Sequence, residues 1–399
     1  MVVLTWSAFS VGLGMLVSAA LAYTILALWQ VRKFRLAAPH IATLPTWPSI
    51  SVLRPLCGAE PRLYESLRSF FEQDYPDFHL VFGVRDRSDP AMAVVERLRQ
   101  EFPHRDVTMI VDARVHGANL KVSNLINMIG ASRHPLLVIA DSDVFAQKDT
   151  LRRMAVMMSK SHVGAVTSLY TGVDTGSLAS RLGAMFINDW FLPSALVDVA
   201  LNGVDGCYGP LTAIRRSVLD DIGGFTSLAN FLAEDNRMGR LVRSKGLTLE
   251  LDPIPVPTMV NAGRIQDLFK HELRWARTVR SCRPKDHILS LVMFPLPVLL
   301  ALLALDPTIV GSLLVGAHVV SRMALNILIR MKIPATGVAT PLWVPIRELM
   351  CFAVWILSLR GNLVLWRGTE YRLVGDGSVV PVQNSGSSIA QSLLPEESG

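Results

Sequence analysis

The stretch Leu136–Asp143, LLVIADSD, limits the folds open to this chain more than any other. Five apolar residues, Leu136 to Ala140, run without a break and stop at two carboxylates one residue apart. A run this short and this apolar predicts a strand buried on both faces, as in a parallel sheet. With a strand period of two, Asp141 and Asp143 fall on one side if the chain stays extended. Open α/β sheets bind ligands at the carboxyl ends of their strands, and two carboxylates there suit a hard divalent cation shared with substrate phosphates. A surface turn is the plainer reading, because Asp and Ser are common turn formers.

Strand-length and helix-length segments alternate around this run. Ile50–Leu53, His79–Val84 and Val107–Val111 read as strands, while Arg62–Glu72, Ala91–Phe102 and Lys121–Ile129 read as helices. After the Asp pair, Leu151–Met158 reads as a helix and Val163–Leu169 as a strand. The order predicts an α/β domain with right-handed crossovers and a mainly parallel, Rossmann-like sheet. Such an architecture is of nucleotide-binding type, but fold alone gives no chemistry.

Half of the chain is hydrophobic and its mean hydropathy is +0.36, with the excess gathered in blocks. Trp6–Trp29 is 24 residues without a charge, enough to cross a hydrocarbon core of about 30 Å. Arg32, Lys33 and Arg35 follow it. This predicts a retained anchor over 1–30, with the amino end outside and the next domain, 31–286, in the cytoplasm. A cleaved signal peptide is the alternative, from the small residues around Ser18–Ala22. A proline-punctuated linker covers 36–48. Over 264–283, Ile265, Leu268, Phe269, Leu273, Ala276 and Val279 recur at helical spacing among arginines and lysines. Such a basic amphipathic helix suits the cytoplasmic membrane interface.

Three further apolar segments, 287–305, 307–329 and 341–359, make up a carboxyl-terminal membrane region over 287–360. His318 and Arg322 in the second predict packing against protein on that face. The adjacent Arg347 and Glu348 are costly at bilayer depth, which favours an interfacial or re-entrant third segment. Residues 361–399 would then lie on the cytosolic side, with a disordered tail beyond Gly377. Cys57, Cys207, Cys282 and Cys351 are scattered and read as reduced thiols. The net charge of +6 suits anionic lipid surfaces or phosphate-bearing substrates alike, and no nucleic-acid partner is expected.

The loops that would open at the sheet's crevice carry the remaining candidates. Asp86 ends one predicted strand much as Asp141 ends another, although alone it reads as a turn residue. In the stretch His116 to Asn124, a glycine and an amide precede a helix with Lys121 in its first turn. The helix dipole disfavours a lysine there, so a phosphate partner is plausible beside the default of a solvated side chain. Met185–Leu192, containing Trp190, could line an acceptor groove or pack in the core. Glu234 and Asp235 stand at a helix start, where an acid either caps the helix or, at a buried edge, has a raised pKa and acts as a base.

Asp86, the GANLKVSNL loop, Asp141-Ser142-Asp143, Glu234-Asp235 and Arg274-Trp275 follow one another in the order of processive-type and lipid-directed family 2-like glycosyltransferases. More narrowly, the chain resembles family 21, the ceramide glucosyltransferases, through RPLCGAEPRLYESLRSFFEQDYPDF, the GANLKVSNL loop and Trp366-Arg367…Tyr371-Arg372. FGVRDRSDPA, FINDWF and HELRW look most like the bacterial branch associated with hopanoid biosynthesis, thought to add N-acetylglucosamine to bacteriohopanetetrol.

The resemblance implies a GT-A domain over 31–286 that uses a UDP-sugar and a divalent cation, Mg2+ or Mn2+, with inversion at the anomeric carbon. It implies that Asp86 contacts uracil or ribose, that Lys121 sits near the nucleotide, and that Asp141 and Asp143 hold metal and diphosphate. Asp235 matches the general base, and Arg274 with Trp275 matches the closing (Q/R)xxRW motif. His271 departs from that motif's first position and would be partly protonated near neutral pH. The implied acceptor is a membrane lipid, hopanoid or ceramide, and the implied location is a bacterial cytoplasmic membrane crossed several times. A membrane scaffold or transport protein with an inactive nucleotide-binding domain is the remaining alternative.

Overall fold

A strand whose successive side chains each meet an apolar layer needs no polar face, and β4 is built that way. In the computed structural model, Leu136, Val138 and Ala140 enter one core while Leu137 and Ile139 enter another. The structure describes residues 2–34, 44–333, 340–366 and 369–382. Most of the expected 36–48 linker, Arg367 and the tail from 383 onward lie outside the described residues.

The chain begins with α1 (Val2–Lys33), β1 (Ile50–Pro55), α2 (Leu63–Phe71), β2 (Phe78–Val84), α3 (Ala91–Glu101) and β3 (Asp106–Val111). It continues through α4 (Leu120–Ile129), β4 (Leu136–Ala140), α5 (Thr150–Met158), β5 (Val163–Asp174), α6 (Leu178–Phe186) and α7 (Leu192–Asn202). Next come β6 (Leu211–Arg215), α8 (Arg216–Asp221), α9 (Glu234–Ser244), β7 (Thr248–Val260) and α10 (Ile265–Cys282). Four helices follow: α11 (Pro284–Leu289), α12 (Leu296–Leu305), α13 (Ile309–Lys332) and α14 (Val344–Ser358). Three short strands come last: β8 (Leu363–Trp366), β9 (Thr369–Leu373) and β10 (Val379–Pro381).

The first seven strands form one sheet in the order β3-β2-β1-β4-β6-β5-β7. Pairing is parallel except for β6, which runs antiparallel to both neighbours. The carboxyl ends of the six parallel strands therefore share one edge, and the loop entering β6 joins them there. Gly83 on β2 lets α4 lie close: a Cβ at that position would run into Asn124 and Met128, and Asn124 donates to the Gly83 carbonyl at 2.8 Å.

Several expectations change. β5 extends past Leu169 to Asp174, because it pairs with β7 almost throughout, with register shifts at Val163/Ala165 and Ser168/Tyr170. Met185–Leu192 is helical: α6, a π-helical turn Ile187–Phe191 and α7 join into one stretch. Leu178–Asn202 is long and apolar enough to cross a membrane, as are Gly14–Lys33, Ile309–Lys332 and Pro341–Ser358. The expected single segment 287–305 is a pair of helical pieces bent by 57°, with Pro295 at the break.

Arg347 and Glu348 are both buried in protein. Arg347 donates to the Leu182 carbonyl at 2.8 Å and pairs with Glu272. Glu348 accepts from the Leu296 amide at 2.9 Å and lies 2.9 Å from His318 Nε2. Where a disordered tail was expected beyond Gly377, β10 pairs with β9, and the Val379 amide donates to Asn230 O at 2.8 Å.

Candidate active site

The Asp141–Asp143 loop is fastened from below by side chains that the sequence reading did not select. Arg54, fully buried at the end of β1, donates to the Asp141 carbonyl at 2.7 Å and to Ser66 Oγ at 2.9 Å. Ser66 in turn donates to the carbonyls of Ser142 and Val144 at 2.6 and 2.8 Å. Ser142 donates to Glu60 at 2.6 Å, bringing a third acid to the loop. From β7 the Met259 amide reaches the Asp143 carbonyl at 3.3 Å, and the Asp141 amide donates to Pro210 O at 2.9 Å. An arginine closing an apolar strand, followed within six residues by Glu60, was the one available sequence signal.

A second assembly forms where the loop before α4 meets the loop before α9. The Ala118 amide donates to Asn230 Oδ1 at 2.9 Å, and the Asn119 amide to Ala229 O at 2.8 Å. Asn119 caps α4, accepting from the amides of Lys121 and Val122, while its amide group reaches Phe231 O at 2.7 Å and Glu234 at 3.1 Å. This joint carries Lys121 into the cleft. Its Nζ lies 2.5 Å from Asp141 and 2.8 Å from Glu234. Burial would lower the lysine's pKa, but the two carboxylates outweigh it and leave the value raised.

Asp235 points away from that bridge, towards the turn before β6. Gly209 has φ +75°, and a Cβ there would stand 2.9 Å from Asp235 Oδ2. Glycine is thus required twice over, for backbone and for space. Burial pushes Asp235 up to about 7, with Glu234 adding to it and Lys121 opposing. Asp143 is likewise pushed up to about 7 by burial, Asp141 and Glu60. Each of these acids is partly exposed. Lys121, Gly209, Thr212, Glu234 and Asp235 line one pocket.

Among the described residues, no group of three or more His, Cys, Asp and Glu side chains is arranged to hold a cation alone. Asp141 and Asp143 do fit one that takes its other ligands from a diphosphate. They are oxygen donors one residue apart at the carboxyl end of β4.

The other candidates are more dispersed. Asp86 is exposed beyond β2, on the same sheet edge, and folds back to accept from the Ser88 amide at 2.8 Å. His271, Arg274 and Trp275 share a face of α10. Trp275 lies 4.5 Å from the His271 ring and 6.4 Å from Phe186. The protein packed round His271 and the Arg274 guanidinium hold its pKa below the usual imidazole value. Its exposed edge limits that fall. Burial and the Arg274 charge both favour the neutral imidazole. Trp190 takes the packing alternative: it is fully buried, beneath the Arg322 guanidinium, and donates to Met293 O at 3.3 Å.

The glycosyl transferase family 21 model matches residues 12–379. Ceramide glucosyltransferase 1 of Caenorhabditis elegans is 29% identical over 234 residues, covering 58% of this chain and 50% of that protein. The chain thus spans half of that relative's length. An N-acetylglucosaminyltransferase of Rhizobium meliloti (strain 1021) is 25% identical over 350 residues, 85% of this chain and 76% of the relative. Among solved structures, the mannosyltransferase PcManGT from Pyrobaculum calidifontis, in complex with GDP-Man and Mn2+, aligns with a TM-score of 0.50. That match, at 18% identity, covers 87% of this chain and 84% of the other, and is a likeness of fold.

Proposed function

Because the chain belongs to glycosyl transferase family 21, and its domain has the GT-A fold, we propose that it transfers a sugar from UDP to the hydroxyl of a membrane lipid. The observation that carries this reading is the cleft at the sheet's carboxyl edge. Lys121 lines it together with Asp235 and also pairs with Asp141, two residues before Asp143. An inverting transfer needs one in-line displacement and no enzyme nucleophile. It requires a base at the acceptor and charge neutralisation at the leaving diphosphate.

Asp235 takes the proton of the attacking hydroxyl as the bond from the anomeric carbon to the UDP oxygen breaks. Its raised pKa suits that work near neutral pH. Asp141 and Asp143 would hold a divalent cation, which when bound supplies positive charge at the diphosphate. Lys121 orients Asp141 and adds a cation to the same side. Arg274 and Trp275 close on the diphosphate and acceptor, His271 stands at the first position of that motif, and Asp86 meets the nucleoside. The catalytic domain lies in the cytoplasm against a bacterial inner membrane.

The preferred reaction is N-acetylglucosamine transfer to bacteriohopanetetrol, a reading supported by the likeness to the rhizobial N-acetylglucosaminyltransferase. Glucosylation of ceramide is the second reading, supported by the ceramide glucosyltransferases among the relatives. Purified protein given UDP-N-acetylglucosamine or UDP-glucose with each lipid, with and without EDTA, should form one glycolipid by mass spectrometry. Metal-dependent product on ceramide alone would select the second reading, and no product on either lipid would remove both.

A further inference from the structure

Three aromatic residues from separate parts of the chain form a continuous ladder beside the cleft. The Tyr170 and Phe191 rings stack with centroids 4.4 Å apart at 28°, and Phe191 meets Tyr208 at 6.2 Å and 72°. All three are partly exposed. Irregular backbone brings two of them there. Tyr170 follows a register shift between β5 and β7, and Phe191 ends the π-helical turn. Such a turn inserts a residue into a helix and recurs at functional sites. Tyr208 is fixed by its amide, which donates to Thr167 Oγ1 at 2.8 Å.

One end of the ladder reaches the reacting groups. Tyr170 lies near enough to Asp235, Asp143 and Asp141 to feel their charge, and its phenol is a hydrogen-bond donor. Tyr208 precedes Gly209, whose backbone lies against Asp235. Phe191 and Tyr208 also pack on the cluster of Leu192 and Leu196 from α7, Ala27 from α1 and Leu325 from α13. The ladder therefore lies between the cleft carboxylates and the apolar junction of helices long enough to enter a membrane.

We propose that Tyr170, Phe191 and Tyr208 are the acceptor subsite, the aromatic faces holding the apolar stem beside the lipid's reacting hydroxyl and Tyr170 orienting that hydroxyl towards Asp235. This rests on the lipid-transferase reading above. The chemistry selects the occupant: ring faces suit aliphatic or fused-ring carbon. A free sugar would need more polar partners than two phenol hydroxyls supply.

The test uses the full chain in detergent micelles with UDP-N-acetylglucosamine and bacteriohopanetetrol, or UDP-glucose and a short-chain ceramide. Phe191→Ala should raise the acceptor KM about tenfold and shift the donor KM by no more than about twofold, the signature of lost acceptor binding. Phe191→Trp should restore it. Tyr170→Phe should lower kcat/KM for the lipid about tenfold, as expected for one lost hydrogen bond to substrate. Donor and acceptor KM rising in step, or an unchanged acceptor KM, overturns the assignment. If the wild-type chain transfers to neither lipid, the transferase reading falls, and the ladder is judged by photolabelling with a diazirine ceramide. Label on peptides holding Tyr170 or Phe191 supports it, and label only elsewhere overturns it.

Discussion

Glu234 and Asp235 are neighbours at the start of α9, yet the fold gives them different partners. Glu234 is held by Lys121 at 2.8 Å, whereas Asp235 faces the Gly209 turn. Asp235→Asn should cut lipid transfer by about 10²–10⁴-fold, the usual loss for a general base, while donor affinity stays within a few-fold. Glu234→Gln should be milder, since Asp141 still pairs with Lys121. Calorimetry with the UDP-sugar beside transfer rates decides this: a dead Glu234→Gln with an active Asp235→Asn reverses the assignment. The pH profile follows with a definite sign. Asp235 is shifted from 3.8 to about 7, and the base works ionised. The wild-type rate should therefore rise between about pH 6 and about pH 8, and the residual rate of Asp235→Asn should lack that rise. Sequence showed the Asp pair plainly, because an apolar strand ending in acids is a local pattern. Arg54 and Glu60 escaped notice, since their roles depend on contacts with residues 12 to 87 positions away. The Lys121–Glu234 pair spans more than a hundred positions.

Among elements, α14 is joined to α10 by a buried ion pair whose partners are 0% and 4% exposed. Arg347→Met should destabilise the protein by about 3–5 kcal/mol, because Glu272 would be left charged and unpaired in the interior. Arg347→Met with Glu272→Gln should recover most of that loss in thermal melts in detergent; equal melting temperatures for the single and double variants would refute the argument. The helices and strands of the first 160 residues were legible because periodicity and burial agree there. The π-helical turn was not, for its composition matches that of the α-helices around it. β10 was missed for another reason. Ser378–Pro381 carries little pattern of its own, and it becomes a strand only because β9 and Asn230 offer partners.

At the scale of the molecule, β8–β10 dock on the loops of the cleft: Val364, Tyr371, Leu373 and Val379 cluster with Ala118, and Leu232 packs against them. Arg277 on α10 also donates to Leu363 O at 2.6 Å. Both ends of the 284–358 region therefore stand beside the catalytic domain, so an even number of crossings is the expectation for that region. With 10 residues, α12 is about 15 Å long, half of a bilayer core of about 30 Å, too short to cross by itself. A cysteine at exposed Val380 should share the fate of native Cys57, shielded from impermeant thiol reagents in intact cells and reactive after lysis. Labelling at position 380 alone would mean an odd number of crossings. The edge of the sheet that holds the acids is also the edge from which α6 and α10 depart. On the lipid-transfer proposal an acceptor arriving there diffuses in two dimensions, so the enzyme should sense the lipid's mole fraction in the membrane rather than its amount per litre. Diluting that lipid with inert phospholipid, at constant total acceptor, should slow turnover in proportion, and a rate indifferent to such dilution would mean that the acceptor comes from water.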